Sequence, residues 1–150
     1  EDCSIEFMTI HLSGGKKMIT AAMAAAKLIK TKMIGVSVLT SLNDEDTLAL
    51  FQSTTRDQVG KLFKLANETG IDGIVCSPLE LDLASSILSP EILKITPGIR
   101  DNAVNDDQSR TMTANEAIQH GASYLVIGRP ISQAPNVSEA LKYFTQSINE

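Results

Sequence analysis

The stretch Gly128-Arg129-Pro130 carries the clearest chemical signal in the sequence, because it directly follows an apolar run that reads as a buried strand. A glycine lets a ligand approach the backbone closely, since it has no Cβ, and consecutive N–H groups can cradle an anion. The Arg129 guanidinium adds a planar fork of donors that suits phosphate. Gly128 and Arg129 therefore indicate a phosphate-binding site, although an arginine that caps a helix on a surface turn fits the same residue types equally well.

Other polar side chains follow apolar runs in the same way. Thr40 ends the run Met33–Leu39 with a hydroxyl that can bind a ligand carbonyl or imide, but such a hydroxyl more often caps the next turn. Arg100 follows a Pro97-Gly98 turn, and Gln108 lies in the polar loop beyond it. Taken singly, Arg100 and Gln108 are typical of solvated loop residues, so their meaning depends on where the fold places them.

Several further groups have a structural explanation. His11 can act as an acid or a base, but a hydrogen-bonded core histidine is the commoner case and is expected here. Asp44, Glu45 and Asp46 are expected to form a solvated acidic loop, and Cys76 to be an inert buried thiol. The sequence contains no cluster with metal-ligand spacing, no Gly-x-Ser-x-Gly motif and no Walker loop.

Short apolar runs alternate with helical patterns along the whole chain. The runs predict five strands, at Phe7–Leu12, Met33–Leu39, Gly73–Cys76, Leu93–Thr96 and Tyr124–Gly128. Between them, apolar residues recur at three- and four-residue steps, and Ser77 and Thr113 each open a capping box that predicts a helix start. Gly70 and Gly121 are expected just beyond helix ends. This alternation predicts five βα units and a parallel sheet covered by helices.

Two architectures fit five βα units. A five-stranded doubly wound sheet suits the chain length, and the pattern alone favours it slightly. A (β/α)₈ barrel needs roughly 30 residues for each unit, so this chain would lack about three of its strands. In both architectures chemistry sits at the carboxyl ends of the strands, where Thr40, Arg100 and Arg129 are expected.

Composition narrows the function classes. The chain has 150 residues, 43% of them hydrophobic, which predicts one globular domain spanning residues 1–150. Its net charge of −5 argues against nucleic-acid and anionic-membrane partners, which usually require a basic face. No long apolar span and no secretory signal are visible, so a cytoplasmic location is expected. The chain begins at Glu1 and not at Met, which indicates a fragment.

Six short motifs occur in an order that is specific to one family. They are TIHLSGGKKM, VSVLTS, GIDGIVCSPLE, ITPGIR, DDQSR and YLVIGRPI. From about Phe7 to about Phe144 the sequence resembles the bacterial orotidine 5′-monophosphate decarboxylases. The resemblance implies an α/β fold of the (β/α)₈ (TIM) barrel type, of which this chain supplies about the last five βα units. It also implies decarboxylation of orotidine 5′-monophosphate to UMP, the last step of de novo pyrimidine synthesis, without metal or organic cofactor.

The resemblance assigns substrate-binding roles by position. The residues that match the family's substrate contacts are Thr40, Pro97, Arg100, Gln108, Gly128 and Arg129. Of these, the glycine and the arginine that follows it are expected to hold the substrate phosphate, with Arg100 and the glutamine closing over the same group. The threonine hydroxyl is expected to read the edge of the pyrimidine, and the proline to pack beside the base.

The family's catalytic motif, Asp-x-Lys-x-x-Asp, does not occur between Glu1 and Glu150. The proton-donor lysine is therefore expected upstream of Glu1, no residue of this chain is expected to be catalytic, and the 150 residues alone are expected to be inactive. The resemblance also implies a homodimer, because the second aspartate of the motif reaches across the dimer interface. Two rivals remain: a doubly wound phosphate-binding module without catalysis, and a related sugar-phosphate decarboxylase barrel that uses Mg²⁺.

Overall fold

Strands and helices alternate through the part of the chain that the structure, a computed structural model, describes, namely residues 4–100 and 111–148. The strands are β1 (Phe7–His11), β2 (Lys32–Val36), β3 (Gly73–Val75), β4 (Leu93–Thr96) and β5 (Tyr124–Leu125). The α-helices are α1 (Gly15–Leu28), α2 (Asp44–Phe51), α3 (Thr55–Thr69), α4 (Leu81–Ile87), α5 (Ala114–Gln119), α6 (Arg129–Ser132) and α7 (Val137–Ser147). Short 3₁₀ helices at Leu12–Gly14 and Pro78–Glu80 lead into α1 and α4. No helix within the described ranges has the length and apolar character that crossing a membrane would require.

The five strands form one parallel sheet in the order β1-β2-β3-β4-β5. Each strand therefore pairs only with the strands that precede and follow it along the chain. A doubly wound sheet would instead place its first strand in the middle. The sequential order confirms the prediction of a barrel arc and excludes the doubly wound alternative.

An aromatic contact between the two outermost strands shows that the sheet is rolled. The ring centroids of Phe7 on β1 and Tyr124 on β5 are 5.3 Å apart in an edge-to-face arrangement. In a flat sheet, strands four positions apart would be separated by roughly 19 Å, at about 4.8 Å for each step. The Lys32 ammonium lies 5.6 Å from the centroid of the Phe7 ring, and Lys32 is the partner of Phe7 in the strand register. These three side chains share the concave face of the arc.

The hydrophobic core lies on the opposite, convex face, between the sheet and the helices. Its fully buried members include Leu12, Ile19, Val59, Phe63, Ala66, Ile74, Leu81 and Ala84. Gly35 on β2 lets the chain pack tightly there, because a Cβ at this position would come within 2.5 Å of Leu12 Cδ2 and 3.2 Å of Ile71 Cδ1. The five units thus have a core of their own, which holds the helices onto the sheet.

Most helix boundaries agree with the sequence, but one segment was wrongly predicted. The Thr113 hydroxyl accepts a hydrogen bond from the Glu116 N–H, which confirms the predicted start of α5, and Gly70 ends α3 in the left-handed region. The acidic stretch Asn43–Asp46 is not a solvated loop but the start of α2. The Asn43 side chain accepts from the Asp46 N–H at 3.0 Å, and the Asp46 carboxylate accepts from the Asn43 N–H at 3.1 Å. Carboxylates favour this position because the N-terminus of a helix is electropositive.

The strands are shorter than the apolar runs that predicted them. β2 ends at Val36, although the run continues to Leu39, and β5 ends at Leu125, although its run continues to Gly128. One more residue bonds to the neighbouring strand beyond β2 and beyond β5, since the Ser37 N–H donates to the Val75 carbonyl and the Val126 N–H to the Thr96 carbonyl. The chain then turns toward the next helix. Those turns are where the predicted ligand contacts lie.

Candidate functional site

The predicted ligand contacts that the structure describes lie at one edge of the sheet. Thr40 follows β2, Pro97 and Arg100 follow β4, and Gly128 and Arg129 follow β5. Because all five strands are parallel, their carboxyl ends meet at the same edge. Gln108 lies outside the described residues.

Gly128 presents an open stretch of backbone at this edge. The residue is exposed, and among the described residues other than its two chain neighbours none has an atom within 4 Å of the place that a Cβ would occupy. Its carbonyl accepts hydrogen bonds from the N–H groups of Ile131 at 2.9 Å and Ser132 at 3.0 Å, which fixes the turn into α6. The half-buried Arg129 is the first residue of that helix. The arrangement leaves room for a ligand against the backbone, directly beside a cationic side chain.

Arg100 is anchored by hydrogen bonds of its backbone and its side chain. Gly98 has a φ of 79°, so the turn after β4 uses the left-handed region that glycine adopts without strain. The Arg100 N–H then donates to the Met112 carbonyl at 3.0 Å, next to a parallel bridge between Ile99 and Met112. Nη1 of Arg100 donates to the Ile99 carbonyl, also at 3.0 Å. The half-buried arginine therefore has a defined place at the edge of the sheet.

The turns after β4 and β5 adjoin each other, and Thr40 lies further along the edge. The Val126 N–H donates to the Thr96 carbonyl at 2.9 Å, which joins the end of β4 to the residues that lead to Gly128. Thr40 is half-buried in the turn between β2 and α2. Since β3 separates β2 from β4, the carboxyl ends of β2 and β4 are about 10 Å apart. Arg100, Arg129 and the exposed backbone of Gly128 thus lie at the part of the edge formed by β4 and β5. The Thr40 hydroxyl lies at the part formed by β2.

The prediction of a core histidine at position 11 is wrong. His11 ends β1, its side chain is exposed, and its register partner on β2 is Val36. Alternation along β1 places His11 on the same face as Phe7, which is the concave face. Its position as the last residue of a strand was the signal in the sequence that could have identified it as part of this edge.

Cys76 confirms the prediction of an inert thiol. Its side chain is 1% exposed, and burial, with a smaller contribution from the Glu80 carboxylate, raises its pKa to about 12. Lys94 and the neighbouring Thr96 act in the opposite direction. A thiol with this pKa stays protonated near neutrality and is a poor nucleophile. Within the described ranges, no three His, Cys, Asp or Glu side chains are grouped so as to hold a metal ion.

Comparison with known sequences gives a consistent family. The model of the "Orotidine 5'-phosphate decarboxylase / HUMPS family" matches residues 2–144. An orotidine 5'-phosphate decarboxylase of Wolbachia pipientis subsp. Culex pipiens is 42% identical over 147 residues, which are 97% of this chain and 65% of that protein. Another, from Saccharophagus degradans, is 42% identical and covers 94% of this chain and 61% of its own length. The chain thus spans less than two thirds of the length of these curated relatives.

Comparison with solved structures supports the same fold. Orotidine 5'-phosphate decarboxylase from Lactobacillus acidophilus aligns with a TM-score of 0.82 and 32% identity, over 98% of this chain and 65% of that one. The enzyme from Methanocaldococcus jannaschii, solved in complex with the inhibitor BMP, aligns with a TM-score of 0.72 and 23% identity, over 97% of this chain and 62% of that one. The five βα units are therefore part of a (β/α)₈ barrel.

Proposed function

The chain belongs to the orotidine 5'-phosphate decarboxylase / HUMPS family, and on that premise we propose that the protein containing it converts orotidine 5′-monophosphate to UMP in pyrimidine biosynthesis. The observation that carries the proposal is the placement of Thr40, Pro97, Arg100 and the Gly128-Arg129 pair at one edge of the barrel arc. These residue types match a nucleotide with a phosphate at one end and a polar base at the other.

In this proposal the side of the edge formed by β4 and β5 binds the phosphate. The N–H groups of Gly128 and Arg129 and the Arg129 guanidinium donate to phosphate oxygens, where the open backbone at Gly128 leaves room for them. Arg100, held in place by Met112, and Gln108 close over the same phosphate. Thr40, about 10 Å along the edge, reads the pyrimidine, and Pro97 packs beside the base.

The role of this chain in the reaction is to bind and orient the substrate. Loss of CO₂ leaves a carbanion at C6 of the pyrimidine, which a lysine ammonium of the Asp-x-Lys-x-x-Asp motif would protonate. That motif is absent from these 150 residues, so the proposal places the lysine upstream of Glu1. Phosphate contacts far from C6 then supply binding energy that holds the reacting ring against the lysine, with no metal or organic cofactor required.

We also propose that the protein is a cytoplasmic homodimer in which residues 1–150 belong to one barrel domain. Leu39, in the turn after β2, and Leu79, in the 3₁₀ helix after β3, support a subunit contact, since both are exposed at the carboxyl edge of the sheet. A subunit contact at this edge would remove both leucine side chains from water, which is favourable.

A related sugar-phosphate decarboxylase is the second candidate, because the family description also includes proteins named HUMPS beside the orotidine 5'-phosphate decarboxylases. The curated relatives at 38% to 42% identity are named orotidine 5'-phosphate decarboxylase, which favours the pyrimidine substrate. The remaining candidate is a phosphate-binding module without catalysis, which needs no segment that carries a catalytic lysine. Such a module would recognise the phosphate and not the base, so it would bind UMP no better than ribose 5-phosphate.

The first prediction tests the phosphate site through Arg129 in a full-length protein. Arg129→Ala should lower kcat/KM for orotidine 5′-monophosphate, because a charge-assisted contact is lost. The lower kcat/KM should correspond to a loss of roughly 2–5 kcal/mol of transition-state stabilisation. Arg129→Lys should recover only part of this loss, since it restores the charge without the planar fork. Steady-state kinetics with the nucleotide and with orotidine, which lacks the phosphate, provide the measurement.

The control is Arg56→Ala, which removes an exposed arginine from the outer helix α3. It should leave both substrates unaffected. If Arg129→Ala impaired orotidine as strongly as the nucleotide, or impaired neither, the phosphate assignment would be wrong.

A further inference from the structure

A groove lies on the helical side of the arc, where α2 and α4 flank α3, and its volume is about 630 Å³. The residues of α3 that line it include Arg56, Gly60 and Lys64, which follow each other at four-residue steps and so form one stripe along the helix. Leu83 and Ile87 of α4, also four residues apart, form one wall. The groove thus belongs to the second and third βα units, and its shape does not depend on the first or the last strand.

Gly60 leaves the floor of this groove open. Apart from the adjacent residues and the backbone of its own helix, no described residue has an atom within 4 Å of its Cβ position. A glycine inside a helix lowers the stability of that helix relative to alanine, and no close packing within the described chain offsets the loss. The missing side chain does, however, allow the backbone of another molecule to approach α3 closely.

The charged side chains that line the groove are mainly cationic. Arg56, Lys61 and Lys64 each bring a positive charge. Asp57 is the one carboxylate among the described lining residues, and it already accepts a hydrogen bond from the N-cap hydroxyl of α3 at 2.8 Å. Within the described ranges, Arg56 and Lys64 form no ion pair. The groove is therefore positive, although the chain as a whole has a net charge of −5.

Apolar side chains lie beside these charges. Leu48 on α2 is 51% exposed, and Leu83 and Ile87 on α4 are half-buried. A free anion would gain nothing from walls of leucine and isoleucine. A helix with one apolar stripe and acidic flanks would cover these walls and pair with the cations, which is how amphipathic helices bind in grooves. The combination of charge and apolar surface thus favours an acidic amphipathic helix as the occupant.

We propose that this groove is a docking site for an acidic amphipathic helix of another protein. The apolar stripe of that helix packs against the leucine and isoleucine walls, and its backbone crosses α3 at Gly60. Its carboxylates pair with Arg56 and Lys64, which lie about 12 Å apart along α3, or just over two turns. The proposal goes beyond the proposed function and does not depend on it.

A second copy of this chain fits the groove less well. Among the described helices, only α2 combines several acidic residues with exposed leucines. Its Asp44 carboxylate accepts from the Thr55 N–H at 2.8 Å, and its Asp46 carboxylate accepts from the Asn43 N–H at 3.1 Å. Both carboxylates therefore have partners inside the chain. In addition, α2 is itself a wall of the groove, so in a symmetric pair it would have to serve as wall and occupant at once.

The experiment uses the full-length protein and a fluorescein-labelled peptide of about 14 residues, which is long enough to form a helix when bound. Leucines at three- and four-residue steps form the apolar stripe of the peptide, and glutamates flank this stripe. Fluorescence anisotropy measures the dissociation constant. We expect saturable binding below about 100 µM, which should weaken as salt is added because the paired charges are screened.

A matched pair of lysines tests whether the peptide uses the groove. Lys64→Glu on α3 and Lys142→Glu on α7 make the same change of charge at an exposed helix position. Lys64→Glu should raise the dissociation constant at least about tenfold, because it replaces an attraction by a repulsion. Lys142→Glu should change it less than about twofold.

Gly60→Ala supplies a test that a folding defect cannot imitate. The added methyl group would occupy the floor of the groove, so the dissociation constant should rise at least about fivefold. The same variant should resist urea better than the unmodified protein, because alanine favours helix. Weaker binding by a more stable protein would locate the contact at Gly60.

Four outcomes would overturn the proposal. They are no saturable binding up to about 100 µM, equal effects of the two lysine variants, undiminished binding by Gly60→Ala, or equal affinity for a peptide whose leucines are replaced by serine, which would indicate a site for any polyanion. None of these measurements uses a nucleotide, so a failure of the proposed function would appear separately, in the Arg129 kinetics.

Discussion

Arg100 and Arg129 reach the same edge of the sheet with different kinds of support. The backbone N–H of Arg100 donates to the Met112 carbonyl, and this bond holds the turn in addition to the side-chain bond from Nη1 to the Ile99 carbonyl. Arg129 begins a four-residue helix directly after the exposed Gly128. We therefore expect substitutions of the Arg100 side chain to leave the turn in place, whereas substitutions at Gly128 would fill the open space beside the backbone.

Cys76 allows a prediction of how stability depends on pH. Its pKa is raised to about 12 in the folded chain, while an unfolded thiol titrates near its ordinary value of about 8.5 to 9. Between these two pKa values the Cys76 thiol is therefore protonated in the folded chain and ionised in the unfolded chain. The stability from this group is complete below about pH 9 and is lost as pH rises toward 12, at up to about 1.4 kcal/mol for each pH unit.

The measurement is urea unfolding of the unmodified chain and of Cys76→Ala at several pH values. Other groups titrate in the same range, but they are common to both proteins, so the difference in unfolding free energy isolates the thiol. That difference should shrink as pH rises above about 9. A difference that stays constant through pH 11 would show that the thiol does not retain its proton in the folded chain.

At the scale of the elements, two glycines with opposite surroundings test the packing of β2 and α3. A Cβ at Gly35 would come within 2.5 Å of the fully buried Leu12, so Gly35→Ala should destabilise the fold by about 1–3 kcal/mol. Gly60 lies inside α3, and apart from the adjacent residues and the backbone of its own helix no described residue has an atom within 4 Å of its Cβ position. Gly60→Ala should stabilise the fold by about 0.5–1 kcal/mol, because alanine favours helix.

Urea denaturation at fixed pH gives both unfolding free energies. The two variants make the same chemical change, so opposite signs would confirm that the close approach of β2 to Leu12 matters. The same sign for both would mean that Leu12 can move aside without cost.

Sequence predicts those elements whose signals are local. The capping residue Thr113 and the terminal Gly70 marked helix ends correctly, because each acts through hydrogen bonds or backbone angles within one turn. The start of α2 was missed because three consecutive acidic residues also suit a solvated loop, and only the reciprocal bonds of Asn43 and Asp46 distinguish the two. The exposure of His11 depends on which face of β1 meets the helices, which the sequence of β1 does not reveal.

At the scale of the whole molecule, the alternation of predicted strands and helices does not determine the order of the strands in the sheet. A doubly wound sheet and a barrel arc use the same βα units, with the same periodicities and caps. They differ in which strands are neighbours, and here the sequential order and the Phe7–Tyr124 contact decide for the arc. The family motifs indicated the barrel because they carry information about the whole fold. The placement of the ligand contacts at one edge followed from that fold, whereas the role of Gln108, outside the described residues, stays a prediction.

We predict that the 150-residue chain alone does not decarboxylate orotidine 5′-monophosphate. The physical reason is that no Asp-x-Lys-x-x-Asp motif is present to protonate the C6 carbanion. The measurement is UMP formation by purified chain produced in a host that lacks its own decarboxylase. Turnover above the level of a mock purification would contradict the prediction and would require a proton donor within these residues.

The contact between Phe7 and Tyr124 also has a consequence for the order in which the chain folds. Every strand pairs with its neighbours in sequence, so folding can begin at any unit and propagate outward, as it does in repeat proteins. The aromatic contact is different, because it joins the first and last strands and requires the closure of nearly the whole chain as one loop. It should therefore form after the folding transition state, so that it lowers the unfolding rate and has little effect on the folding rate. The rolled shape of the sheet would then be completed last during folding, and it would be the first feature lost during unfolding.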